Sequence, residues 1–426
     1  MQKLATVQRL AMKAITGCYK TTPTAAMEIE SELQPPWIRL QTKVLLTIVR
    51  MRSLSPSHPI QEWLANALRT RTANVRHRSS FESTLQQFPL LTERIEAIEP
   101  FIRPPWWMPK AKIQVSATKD EAQKLHDELG KKAAMQAIYT DGSGIEGKVG
   151  AAMYHVASGN VCLQHLGTEA QYNVFAAELE AMCLSAIEVQ KNNQHCAWNL
   201  YTDSQAAIRA VDKPQRQSGQ SIIKEFLDTI DMAEAENPEL QVDIIWVPGH
   251  CGIEGNEIAD AEVKKAATSS TLANPFNHKP LRSARVQSIK AASKAQWLKN
   301  WSNNTKTSHA LRHIMRRPGA KAGTKLYNAI LNKRAVATLT RLRTGHCGLS
   351  YYLHRFHLTE TPYCKCGNGK ETVEHYLLEC RLYAEQRKEL RKKVGAGRMR
   401  IEKLLGFPKL LKHTLEFVAS TKGLEI

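Results

Sequence analysis

The chain is 426 residues long with 42% hydrophobic residues, enough for two to four ordinary globular cores. No apolar run approaches the roughly 20 residues of a membrane helix, no charged-then-apolar leader is visible, and nine scattered cysteines suit free thiols better than a disulfide framework; the expectation is a soluble, intracellular protein with no membrane partner. The net charge of +19 is one-sided: residues 1–270 hold 28 Lys and Arg against 31 Asp and Glu, residues 271–426 hold 31 against 9, and no acid lies between Val263 and Thr359, which points to a nucleic-acid partner for the tail.

Residues 1–100 read as helix, with Leu4, Val7, Leu10, Ala11 and Ala14 at helical spacing and a second periodic run, WIRLQTKVLLTIVRM, after Pro35-Pro36. FIRPPWWMPK opens a 101–134 segment that reads as a linker or docking strap followed by a short charged helix. In 135–268 the runs AIYTDGSG, VGAAMYHV and VCLQHLG form a strand meander. A helix from about Asn173 to Gln190, the strand WNLYTDS, further helices, the strand VDIIWVPGH and a last helix follow. That order predicts an α/β fold, a mixed five-stranded sheet flanked by helices. Residues 271–345 read as a basic helical region. Residues 346–426 hold a Cys/His-rich segment and C-terminal helices.

Asp141 and Asp203 each close a Tyr-Thr-Asp stretch at the end of a predicted strand, where α/β sheets place their chemistry. A turn or a helix cap would explain either acid alone. The shared context argues that two strands deliver two acids to one sheet edge. Like charges held together need a cation, and Mg²⁺ is the hard ion that carboxylates and phosphates share. In FAAELEAMCLSAIEV both Glu178 and Glu180 border the apolar stripe, and periodicity does not choose between them. The stretch IIWVPGHCGIEGNEIAD then sets His250 and Asp260 on either side of a glycine-rich bend.

The motifs TDGSG, AAELEA, YTDSQAA and WVPGHCGIEGNEIAD, in this order, resemble those of the ribonuclease H family. The resemblance is to the ribonuclease H domain of non-LTR (LINE-type) retrotransposons. It implies a ribonuclease H-like sheet and assigns Asp141, Glu178, Asp203 and Asp260 as ligands of two Mg²⁺ ions, roughly 4 Å apart, with Mn²⁺ able to substitute. It also makes His250 a proton-handling residue near the metals. The implied activity is hydrolysis of the RNA strand of RNA–DNA hybrids to 5′-phosphate and 3′-hydroxyl ends. The backbone at Gly142 to Gly144 is expected to approach the 2′-hydroxyl. A catalytically inactive nucleic-acid-binding remnant is the alternative, against which all four acids and the histidine stand intact. A transposase or integrase core fits the WVPGH segment poorly.

RRPGAKAGTKLYN, TLTRLRTGHCGLSYYLHRFHL and CKCGNGKETVEHYLLEC also resemble the C-terminal region of such elements, and VQRLAMKAITGCYKTTPTAAMEIE resembles the helical segment after their polymerase. A reverse transcriptase is therefore a partner the resemblance allows, although the polymerase's own paired aspartates are absent here. Cys364, Cys366, His375 and Cys380 form a C-x-C-x8-H-x4-C array suited to a structural Zn²⁺, a zinc-knuckle-like segment, with His346 and Cys347 as competing ligands. Residues 136–267 hold 8 Lys and Arg against 19 Asp and Glu. The basic tail is accordingly expected to grip nucleic acid while the acidic domain cuts it.

Overall fold

A computed structural model describes residues 2–69, 94–131, 135–269, 278–303, 309–315 and 332–424. The RRPGAKAGTKLYN stretch lies outside the described residues, as does 70–93 of the N-terminal region. The chain forms two compact units, residues 1–42 with 291–426, and residues 43–290.

The 43–290 unit is built on one sheet. Strands β1 (Lys112–Gln114), β2 (Gln136–Ile145), β3 (Lys148–His155), β4 (Asn160–Thr168), β5 (Ala197–Thr202) and β6 (Gln241–Trp246) lie in the order β1-β6-β5-β2-β3-β4. The antiparallel β2-β3-β4 meander follows from a two-residue turn in which Glu146 and Gly147 both have positive φ, 51° and 78°, the geometry whose twist matches a hairpin. β5, β6 and β1 continue the sheet in parallel. The sheet thus has six strands where five were expected. The sixth, β1, is only three residues long, and its Lys-Ile-Gln sequence has too little alternation to read as a strand.

Alternate residues feed opposite faces. Ile138, Leu200 and Ile244 join the main core beneath the helices Val174–Lys191, Gln205–Asp212 and Gln220–Glu236. Tyr139, Tyr201 and Ile245 form the second core with Leu129 and Ala259, from the helices Lys119–Leu129 and Glu254–Thr268. The capping box at Thr118 and Glu121 starts the Lys119 helix, and the Asn173 side chain accepts the Ala176 N–H at 3.0 Å to start the Val174 helix.

Residues on both sides of this frame complete it. Leu281 and Ala284, in the first turn of the helix Arg282–Asn303 and just before it, are fully buried in the main core. The Leu281 N–H donates to the Gln171 carbonyl at 2.8 Å. Buried Glu96 accepts the N–H groups of Gly219 and Arg282, each at 2.7 Å, and the Ser218 hydroxyl. One carboxylate thereby serves two helix starts that would otherwise carry orphan donors.

The other unit is helical, with a core of Leu339, Leu342, Leu377, Leu390, Leu404, Leu411 and Val418. Within it the fully buried Arg343 pairs with Glu30 at 2.9 Å. No helix among the described residues is long and apolar enough to cross a membrane.

Candidate active site

Three backbone devices bring three acids together. β2 does not end at Asp141, as its sequence pattern predicts; it runs on to Ile145 as the hairpin with β3. Its pairing with β5 stops at Thr140, so Asp141 sits where the sheet opens. Asp203 follows the last residue of β5, and the next helix is capped by Ser204, whose hydroxyl accepts the Ala207 N–H at 3.3 Å. Capping therefore does not occupy Asp203. Glu178 lies on the helix Val174–Lys191, which presses so closely on β2 that a Cβ at Gly142 would overlap the Glu178 backbone nitrogen. This contact gives Gly142 a packing reason, where the motif alone suggests substrate approach.

The carboxylates of Asp141, Glu178 and Asp203 offer oxygens within 4.8 Å of one another. Glu178 rather than Glu180 therefore faces the two aspartates. Glu180 is fully buried elsewhere and accepts from His278 Nδ1 at 2.6 Å, an interaction that requires a residue far along the chain. Asp260, with Glu257 and His250, forms a neighbouring group whose ligand atoms likewise lie within 4.8 Å of one another. Glu257 is not among the residues that the sequence motifs assign to the site. Its spacing of three from Asp260 puts both on one helix face, a signal present in the sequence but common on any helix.

Burial and mutual repulsion load the site electrostatically. Burial, then Asp203 and Asp260, push the Asp141 carboxyl up to about 7. Burial, then Asp141 and Asp203, hold Glu178 well above the usual carboxylate range. Burial also raises Asp203; His250 works against that rise and Asp260 adds to it. Glu178 Oε2 is buried without a hydrogen-bond partner. An all-oxygen donor set with an orphaned buried carboxylate oxygen and raised proton affinities fits a hard divalent cation.

The bend after β6 closes the site. The Trp246 indole N–H donates to the Asp203 carbonyl at 3.0 Å, and Gly249 passes so near Asp203 that a Cβ there would overlap its carboxylate. His250 has a positive φ of 55° and is exposed. Asp260 is paired at 2.6 Å with Lys264, one turn further along its helix.

Residues 133–268 match the RNase H family model. They are a ribonuclease H domain. Over 142 residues the chain is 30% identical to the Gag-Pol polyprotein of bovine immunodeficiency virus (strain R29), which covers 33% of this chain and 8% of that protein. Over 44 residues it is 46% identical to the retrovirus-related Pol polyprotein from type-1 retrotransposable element R1 of Bradysia coprophila, covering 10% of this chain and 4% of that one. The chain thus spans less than a tenth of the length of these curated relatives. Among solved structures, a prototype foamy virus protease-reverse transcriptase aligns at a TM-score of 0.26 and 19% identity, covering 32% of this chain and 21% of that one. LC11-RNase H1 in complex with an RNA/DNA hybrid aligns at 0.25 and 19%, covering 31% and 96%.

Outside the ribonuclease H domain, Cys364, Cys366, His375 and Cys380 offer ligand atoms within 4.8 Å of one another. The Cys364 and Cys380 sulfurs are 3.6 Å apart, and Cys366 Sγ lies 3.3 Å from His375 Nε2. His375 Nδ1 faces Glu379 at 3.4 Å, the kind of carboxylate support that fixes a ligating imidazole. Neither competing candidate belongs to this group: His346 Nδ1 bonds the Thr344 carbonyl at 2.9 Å, and Cys347 packs in the apolar core.

Proposed function

We propose that the ribonuclease H domain hydrolyses the RNA strand of RNA–DNA hybrids, in a protein that is part of, or derived from, a retrotransposon polyprotein. The observation that carries this reading is the convergence of buried Asp141 and Glu178 with half-buried Asp203, mutually repelling, at the open end of the sheet. Asp141, Glu178, Asp203 and Asp260 would hold two Mg²⁺ ions, for which Mn²⁺ can stand in. When bound, such ions activate water and steady the departing 3′ oxygen of an in-line displacement. The chain's own residues do the rest. Gly142 lets the Glu178 helix close on β2, Gly249 shapes the wall beside Asp203, and His250 is exposed on the bend beside Asp260, where its imidazole can pass a proton to the leaving group. The Cys364, Cys366, His375 and Cys380 group is a structural Zn²⁺ site in this reading, and the basic tail is the nucleic-acid grip.

The test is cleavage of a labelled RNA–DNA hybrid with Mg²⁺ by the full chain and by Asp203→Asn. Disturbing even the support of a metal ligand costs roughly 10–100-fold, so loss of a ligand is expected to cost about a hundredfold or more. Equal rates for the two proteins would refute the mechanism. Absence of cleavage by both, with hybrid binding retained, would mark a binder without activity.

A further inference from the structure

The ribonuclease H match begins at residue 133, yet the helix Lys119–Leu129 just before it packs Leu129 into the second core, with Tyr139, Tyr201 and Ala259. We propose that this preceding helix is a working part of the nuclease site. Through His126 it fixes Tyr139, and through Tyr139 it fixes the helix that carries Asp260. His126 and Tyr139 are thus positioning residues. The inference rests on the reading of Asp260 as an ion ligand and adds the contacts that hold it in place.

Tyr139 is held from three sides. Its hydroxyl lies 2.7 Å from Nε2 of half-buried His126, whose Nδ1 faces the Asp127 carboxylate at 3.2 Å. A carboxylate only accepts, so the neutral imidazole carries its proton on Nδ1, and Nε2 accepts from the tyrosine hydroxyl. The Tyr139 ring stacks on Tyr201 at 4.8 Å, and the His126 ring meets Tyr201 edge-on at 5.2 Å. The third side is Gly255, where a Cβ would lie 2.2 to 2.7 Å from three ring atoms of Tyr139. The ring fills the space a side chain would need, and the first turn of the helix Glu254–Thr268 rests directly on it.

That contact matters because the start of this helix has no side-chain cap: Ile253, at the cap position, offers its first turn no side-chain hydrogen bond. Packing on Tyr139 therefore sets where the turn lies. Asp260 follows on the same helix, next to Ala259, which is fully buried in the same core. Displacing the Tyr139 ring shifts the helix start and carries Asp260 with it, and a misplacement of about 1 Å is enough to cost a site much of its rate. Asp141, Glu178 and Asp203 are placed otherwise, by strand pairing and by the helix Val174–Lys191, neither of which passes through the Tyr139 side chain.

The experiment uses the full chain and Mn²⁺, with the free ion followed by electron paramagnetic resonance, alongside hybrid cleavage. Loss of the outer support of a metal ligand costs roughly 10–100-fold in metal affinity, so His126→Leu and Tyr139→Phe are each expected to weaken Mn²⁺ binding about tenfold, in the direction of Asp260→Asn. Both should lower kcat while KM for hybrid stays level. His126→Gln, whose amide oxygen can still accept from the Tyr139 hydroxyl, is expected to stay within about twofold of the parent. In an Asp260→Asn background His126→Leu should have no further effect, because the ligand it positions is gone. Parent-like Mn²⁺ binding by both His126→Leu and Tyr139→Phe overturns the proposal. So does a further loss on top of Asp260→Asn, which marks a general loosening of the domain. If Asp203→Asn and Asp260→Asn also bind Mn²⁺ like the parent, the ion reading itself fails; if they bind it weakly while His126→Leu and Tyr139→Phe do not, only the positioning fails.

Discussion

The raised proton affinity of Asp141 has a sign that can be tested. Its carboxyl is raised from 3.8 to about 7, by burial first and by Asp203 and Asp260 next. A raised carboxyl favours the folded state while protonated, so its contribution is full below about pH 4 and is lost as pH climbs through 7. Without divalent ions, Asp141→Asn removes a buried charge and should therefore melt higher than the parent at pH 8, by about 5 °C or more, since 1 kcal/mol moves a unit of this size by roughly 2–4 °C. At pH 4 the gap should close. Adding Mg²⁺ at pH 8 should raise the parent and leave the variant nearly unmoved. A variant that melts lower than the parent at pH 8 without metal would contradict the electrostatic account. At this scale the paired Tyr-Thr-Asp contexts make Asp141 and Asp203 legible in the sequence alone. The choice of Glu178 over Glu180 is not legible from periodicity, because the helix is buried from Ala176 to Ala186 and has no solvent face against which to measure an apolar stripe.

At the scale of elements, the strands of the meander and the parallel pair are readable because each alternates and ends in a turn. The short β1 and the start of the helix Arg282–Asn303 are not. Leu281 and Ala284 sit in a locally basic segment, and nothing in their own neighbourhood says that they reach the sheet's core. A cut after Ala267 would therefore strip residues from that core as well as removing the basic tail, and point substitutions are the sounder probe of the tail. The Cys/His element allows a cleaner test. Cys364 and Cys366 lie within the loop closed by the bridge between Tyr363 and Lys370, and His375 opens a π-helical turn, His375–Glu379, that leads to Cys380, a geometry frequent at functional positions. Burial pushes the Cys364 thiol up to about 12. Cys366 in the same group is brought down to about 6, burial opposing and the Asn368 N–H, Cys364 and His375 favouring its thiolate, so the cluster already holds one ready thiolate and a bound cation would favour the others. The expected metal content is one zinc per chain, lost in Cys380→Ser, with a lower melting temperature for the unit of residues 1–42 and 291–426 and unchanged Mg²⁺ affinity in the ribonuclease H domain. A full chain purified without chelator that holds no zinc, and that melts identically when zinc is added, would remove zinc from the proposal.

Over the whole molecule, charge is divided more sharply than structure. The segment 136–267 holds 8 basic against 19 acidic residues, yet its proposed substrate is a polyanion. Cation binding at the acid cluster relieves only the local part of that imbalance, and the remaining surface acids still repel phosphate over a Debye length of roughly 8–10 Å. The excess of 31 over 9 in residues 271–426 is the compensating term available in this chain. Lys294 and Lys299, on the helix Arg282–Asn303, and Lys388 and Arg391, on the helix Ala384–Val394, are exposed and suit replacement by Gln without disturbing a core. Each phosphate contact contributes about −0.9 to the slope of log affinity against log salt, so a fourfold-neutralised full chain should lose up to about 3.6 from that slope. Its KM for hybrid should rise steeply at moderate salt, while kcat stays level because the acid cluster is untouched. The measurement is hybrid cleavage and hybrid binding across a salt series for the parent and the variant. An identical slope and KM would mean that the acidic domain grips its substrate unaided, and the division between a cutting unit and a holding tail would have to be abandoned.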